Sequence, residues 1–355
     1  MRLVRVGSSA SKQNHHKGTK AQRFNELRAF VVILLACGLA AFRLPINGRW
    51  FTGRLPQRML VRCNKPSDNL IMHPSRPLFA AAFLLLSLPA FAQQTLPPLR
   101  TAVDGTYAPH AMPKLGGGLE GFQIDLFNEV ARRMHRGITI DSASFSGLIP
   151  ALEAGRYDFL AAPTTVTPER AQNLLFTQGY LWTAFEFGIR KGSAPIKDWS
   201  DLKGKAVAVN KGTPYETLSR KMGEQYGFTV QAFDTQPDAV QAVVSGHAYA
   251  SLAGNTVIKY AASKNPQFVA DLVLNDTKAH WAAPFRKDED ALRGQIDDVL
   301  KCMKKDGTVA KLSEKWFGAK PAPDDLENVS FPGHGVPGLP GYEPNAPDPD
   351  CSQYR

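Results

Sequence analysis

Arg170 follows Thr167-Pro168-Glu169, a run that starts a helix with a capping hydroxyl, a proline for the first turn and an acid beside it. A guanidinium set there, near exposed N–H groups, suits a carboxylate, which takes two parallel charge-assisted hydrogen bonds from Arg. The plain alternative is a surface Arg on an exposed helix. Thr213, before Pro214, reads as a second N-cap. Tyr107 and Phe145 stand near strand ends, where an aromatic either fills a core or walls a site, and Asp104 is a strand-end acid of the kind that forms turns. Hydrolase, zinc-protease and phosphate-loop motifs are absent, and Gly116-Gly117-Gly118 lacks the Lys and Ser/Thr of a phosphate loop, so it reads as a hairpin turn before Gly121. Asp290 and Asp297 read as solvated helix charges, not as an acid/base pair.

These residues sit in an alternating pattern. Short apolar, β-branched runs at 100–104, 138–145, 159–163, 206–210, 229–233 and 249–253 are each followed by a helical-period segment. Phe122, Leu126, Val130 and Met134 recur every four residues, with Phe127 and Ala131 beside them. Gln123, Asp125, Asn128, Glu129, Arg132 and Arg133 fall mostly on the other face. A second amphipathic helix spans 290–305, striped by Leu292, Ile296, Val299, Leu300 and Met303. Strands alternating with helices imply an α/β fold with a mostly parallel sheet covered on both faces.

The charge lies at one end. Of 355 residues, the first 92 hold 14 Lys and Arg against two acids, Glu26 and Asp68. The rest holds 28 basic and 30 acidic residues, so the body has no basic excess with which to neutralise nucleic-acid phosphates. Two apolar runs, 29–42 and 78–92, are each too short to span a bilayer as a helix. The second has the grammar of a signal peptide at 72–92: Met72 as a start, Arg76 as the basic flank, and Ala90-Phe91-Ala92 as a small-x-small cleavage site before Gln93. The expectation is a secreted, periplasmic chain beginning at Gln93. Residues 1–71 read as a start codon placed too early or as an extra leader, and His15-His16 within them is not taken as a metal pair.

Two cysteines, Cys302 and Cys351, remain after the signal run. An even pair in an oxidising compartment suggests a disulfide. The competing reading makes Cys302 a small buried apolar residue and Cys351 a free thiol. The His residues are scattered, no CxxC occurs, and neither metal nor cofactor is expected. The segment 319–355 is dense in Pro and Gly. Alone it would read as disordered, but a Cys302–Cys351 bond would tie it back to the globule.

Five collinear blocks resemble the family-3 extracellular solute-binding proteins, the polar amino-acid receptors of bacterial ABC importers. They are DGTYAPH (104–110), GFQIDLFNEVARRM (121–134), FSGLIPALEAGRYDFLAAPTTVTPER (145–170) followed by FTQGY, LKGKAVAVNKGTPYE (202–216) and FRKDEDALRGQIDDVLKCMKKDGTVAKLSEKWFG (285–318). Together they cover nearly all of 99–318. The resemblance implies a two-lobed α/β fold of the periplasmic-binding-protein kind, with doubly wound sheets joined by two crossover strands. One lobe would comprise 93–184 and 282–318, the other 185–281, with 319–355 as a tail.

The resemblance also implies roles. Arg170 matches the Arg that holds the ligand carboxylate, Thr165 a residue that hydrogen-bonds the ligand, and Gly212-Thr213 the opposite helix N-terminus whose amides meet the same carboxylate. Tyr107 and Phe145 match the walls around the ligand side chain, and Asp104 a position that contacts a cationic side chain. Three departures stand out. Gly254, with Asn255 next to it, replaces the acid that receives the ligand ammonium. Pro163, between Ala162 and Thr164, offers no N–H donor. His110 stands where Phe usually follows Pro. An amino acid is the first expectation for the ligand, and a small carboxylate without an ammonium group competes with it. The implied partner is an inner-membrane ABC permease and the implied state a monomer without cofactor. The rival reading is a periplasmic lyase like the cyclohexadienyl dehydratases, for which Asp104 alone would supply an acid.

Overall fold

The computed structural model describes residues 41–46, 49–54 and 96–355. The first two stretches form an antiparallel hairpin, β1 (Ala41–Ile46) and β2 (Arg49–Arg54). The expected signal peptide at 72–92 and His15-His16 lie outside the described residues.

From residue 96 the chain builds its first lobe. In order come β3 (Leu99–Val103), β4 (Met112–Pro113), β5 (Leu119–Glu120), α1 (Phe122–Arg133), β6 (Ile138–Ser142), α2 (Phe145–Glu153), β7 (Thr164–Thr165), α3 (Pro168–Asn173) and β8 (Leu175–Phe176). The four-residue stripe of α1 is buried at Phe122, Leu126 and Val130, as are Phe127 and Ala131. Gln123 and Arg133, expected on the polar face, are buried too. Arg133 is paired there with Glu129 and Asp306 at 2.7 and 2.6 Å. β4 and β5 pair around Gly116, Gly117 and Gly118, all at positive φ, so the three glycines form the expected turn.

β3 runs parallel to β6. The run 159–163 lies along the other edge of β3, buried, but is not the regular strand its composition suggests. The backbone bonds Asp158 N–H to Arg100 O (2.8 Å) and Ala162 N–H to Ala102 O (3.2 Å) are interrupted by a side chain. The Thr101 hydroxyl donates to Phe159 O at 2.8 Å and accepts from Ala161 N–H at 2.7 Å, taking the place of a ladder group.

The chain then leaves along β9 (Leu181–Arg190) and forms β10 (Ala206–Asn210), α4 (Pro214–Tyr226), β11 (Thr229–Phe233), α5 (Gln236–Val244), β12 (Ala250–Gly254) and α6 (Asn255–Lys264). It returns along β13 (Phe268–Ala282) to β14 (Pro284–Phe285), α7 (Asp290–Lys305) and α8 (Thr308–Phe317). The second sheet has the order β11-β10-β12-β9-β13-β7. Its β10 is parallel to both neighbours, whereas β9 and β13 run antiparallel and carry the chain between the lobes. These two are the crossover strands. Their ladder is irregular between Leu274 and Ala279, where the Thr277 hydroxyl accepts from Phe185 N–H at 2.8 Å and donates to Leu274 O.

Beyond Gly318, residues 319–355 are ordered against α7. Cys302 and Cys351 are bonded, with Cα atoms 5.4 Å apart, inside the span a disulfide requires. Asp297 corrects the sequence reading, because it is fully buried and accepts from Gln178 N–H (2.8 Å) and Gly335 N–H (2.6 Å). The tail covers the face of α7 on which Asp297 lies. Asp290 keeps the solvated setting expected of it, with about half of its side chain exposed (52%).

Candidate functional site

Arg170 sits in the first turn of α3, as its sequence setting predicts. Thr167 caps that helix by accepting from Arg170 N–H at 3.3 Å, with Pro168 opening it. The guanidinium donates to Thr165 O in its own lobe (3.0 Å) and to Gly212 O in the other (3.3 Å), and lies 5.7 Å from the centre of the Phe145 ring. No carboxylate lies within 4 Å of it among the described residues. Burial lowers its pKa to about 10, so it stays charged at neutral pH.

The two lobes meet around this cation. Gly212 has φ +77° and packs on Ser146, whose Cα would stand 2.9 Å from any added Cβ, so only glycine serves there. Thr213 caps α4, its hydroxyl donating to Asn210 O at 2.5 Å and accepting from Glu216 N–H at 3.3 Å. The Gly212 amide, expected to face a ligand, donates instead to Glu216 Oε2 at 2.8 Å. Tyr107 reaches across to Tyr215, hydroxyl to hydroxyl at 3.0 Å, and His110 Nε2 stands 2.8 Å from Thr256 Oγ1. Burial holds the His110 pKa down at about 3, so the ring is neutral. Thr165 accepts from the Trp281 indole N–H at 3.0 Å.

Tyr107, Phe145, Thr165 and Arg170 are thus brought to the surfaces where the lobes touch, while Thr213 bonds within its own helix cap. Asp104 and Asn255 are engaged locally. Asp104 Oδ1 accepts from Thr106 N–H (3.0 Å) and its hydroxyl (2.6 Å), the turn expected at a strand end, and burial raises the pKa of its carboxyl. Asn255, the first residue of α6, turns its Oδ1 to Ala184 N–H at 3.4 Å. Sequence reasoning missed Tyr215 and Trp281. An aromatic in a helix turn or a strand carries the same signal whether it packs in a core or lines a site.

A cation without an acid partner, flanked by hydroxyls and rings from two lobes, can bind an anionic group of small size. The comparisons agree with that arrangement. Residues 99–319 match the model of the bacterial extracellular solute-binding proteins, family 3. PatH of Vibrio harveyi, named as a candidate amino-acid ABC transporter-binding protein, is 31% identical over 242 residues, 67% of this chain and 96% of that one. The L-arginine-binding protein of Pseudomonas aeruginosa is 27% identical over 248 residues, 68% of this chain and 95% of that one. A solved structure of an ancestral arginine-binding protein bound to arginine, 31% identical, superposes with a TM-score of 0.61 over 63% of this chain and 100% of that one. The fold and these matches agree: the chain belongs to the family-3 bacterial extracellular solute-binding proteins.

Proposed function

We propose that the chain is a periplasmic receptor, cut after Ala92 and monomeric, that captures an amino acid or related small carboxylate and delivers it to an inner-membrane ABC permease. One lobe comprises 93–184 and 282–318, the other 185–281, and 319–355 straps the first. The observation that carries the reading is Arg170, a charged guanidinium that bridges Thr165 O of one lobe and Gly212 O of the other without an acid partner. A ligand carboxylate would accept its two N–H groups in place of a carbonyl, and charge-assisted bonds are about twice as strong as neutral ones. Phe145 and Tyr107 would wall the ligand, with Thr165 as a hydrogen-bonding group and Thr213, Asp104 and Asn255 as flanking polar groups. The names of the relatives, receptors for arginine among them, support this ligand class.

A thermal-shift screen of residues 93–355 against amino acids and small organic acids tests the reading. A ligand at about 100 times its Kd adds roughly 2.7 kcal/mol of stability and raises the melting temperature. If no small carboxylate does so, the reading fails. The lyase reading has one observation behind it, since Asp104 is a buried carboxyl whose pKa burial raises. A similar solved structure, 31% identical with a TM-score of 0.58, is described as an ancestral amino acid-binding protein, a precursor of cyclohexadienyl dehydratase. Product formation from arogenate or prephenate would favour that reading over simple capture.

A further inference from the structure

We propose that Trp281 and Gly254 set the specificity of this site, selecting carboxylates that carry no α-ammonium group; the inference rests on the receptor reading above. Gly254 ends β12 beside the Thr165–Trp281 contact. A Cβ added there would meet Trp281 Cζ2 at 2.7 Å, Trp281 Cη2 at 2.9 Å and Thr183 Oγ1 at 3.1 Å. No side chain fits, so this part of the wall cannot offer a carboxylate. The indole itself is fully buried and fixed, by its N–H bond to Thr165 and by His110, whose ring lies 4.6 Å away at right angles.

The remaining acceptors nearby are occupied or neutral, Asp104 Oδ2 apart. Tyr107 and Tyr215 bond each other. Neutral His110 is committed to Thr256. Asp104 is held through Oδ1 by Thr106, whereas its buried Oδ2 has no hydrogen-bond partner among the described residues and burial disfavours its charged form; Asn255 turns its Oδ1 to Ala184 N–H. The rings are packed edge to face, with Tyr107 6.4 Å from Trp281 and Phe185 4.6 Å from Tyr215. A carboxylate at Arg170 would find its charge matched. An ammonium two bonds from that carboxylate would lose its water and, with Gly254 in the wall, meet no acid but Asp104, whose charged form burial disfavours; an uncompensated buried charge is costly.

Calorimetry with matched pairs decides this: L-glutamate against glutarate, L-norvaline against valerate, and L-phenylalanine against 3-phenylpropionate. The tightest-binding member is expected to be a deaminated acid, at least about tenfold tighter than its amino twin, or about 1.4 kcal/mol. A double variant, Trp281→Ala with Gly254→Asp, should reverse that preference. Should it fail to fold by circular dichroism, the wild-type pairs decide alone. If an amino acid binds as tightly as its twin or tighter, the specificity inference is overturned and the receptor reading stands. If no member of any pair binds the folded protein, both fall.

Discussion

Arg170 shows how far single residues speak for themselves. Thr167, Pro168 and Glu169 announce a helix start, and the structure delivers the cap and sets the cation between Thr165 O and Gly212 O. Asp297 shows the opposite. Its sequence setting reads as solvated because the periodicity of α7 describes one apolar face, whereas the tail supplies a second packing surface through Gly335. Trp281 and Tyr215 carried no legible signal, since burial against a partner lobe depends on contacts far away in sequence. Glu186 was also silent. It is buried in β9, its Oε2 has no hydrogen bond among the described residues, and burial raises its pKa from 4.5 to about 7. A raised carboxyl pKa means that the folded state holds the proton more tightly, so its contribution to stability is full below about pH 4.5 and lost as pH rises through about 7. Glu186→Gln should therefore flatten this part of the melting-temperature profile between pH 5 and pH 8. An unchanged profile would show that Glu186 is not the titrating group.

At the scale of elements, β10, β11 and α7 fall where the sequence patterns place them, because periodicity and apolar runs act locally. The run 159–163 does not form a regular strand, because the Thr101 hydroxyl intrudes into the ladder, a substitution no pattern encodes. The tail is the other departure from local logic. Pro and Gly leave it only one 3-10 turn, Cys351–Tyr354, yet polar anchors and one disulfide order it. Lys304 Nζ donates to Gln178 Oε1, Gly179 O and Val329 O at 2.6 to 3.1 Å, and Ser313 donates to Glu327 at 2.8 Å. Asp297→Ala would strand two buried N–H groups, at about 1 to 3 kcal/mol each. Asp290→Ala removes one of two carboxylate partners of the fully buried Arg293, which keeps Glu343 at 2.8 Å, and should cost less than the Asp297 change. Urea unfolding of both variants checks the contrast, and equal losses would contradict the burial account. Replacing Cys302 and Cys351 by serine opens a loop with a sequence separation of 49, worth up to about 4 kcal/mol in the chain-entropy model. A double variant as stable as the parent would show that the polar anchors alone hold the tail.

At the scale of the molecule, two crossover strands link lobes that touch through Arg170–Gly212, Tyr107–Tyr215 and His110–Thr256. All three are contacts that a hinge about β9 and β13 would break. A ligand that touches both lobes favours the closed arrangement only through its differential affinity for it. Small-angle scattering of residues 93–355 should therefore show a smaller radius of gyration at saturating ligand, and no compaction would argue against hinge closure. The two-lobed plan was legible through its five blocks, whereas the packing of one lobe on the other was not, because no sequence pattern spans the cleft. The central claim is that a small carboxylate is held at Arg170. Titration calorimetry of wild-type and Arg170→Ala protein, with each small carboxylate that raises the melting temperature, tests it most directly. The account predicts that Arg170→Ala loses about 2 to 5 kcal/mol of binding while keeping its fold. Wild-type affinity in the folded Arg170→Ala protein would contradict it.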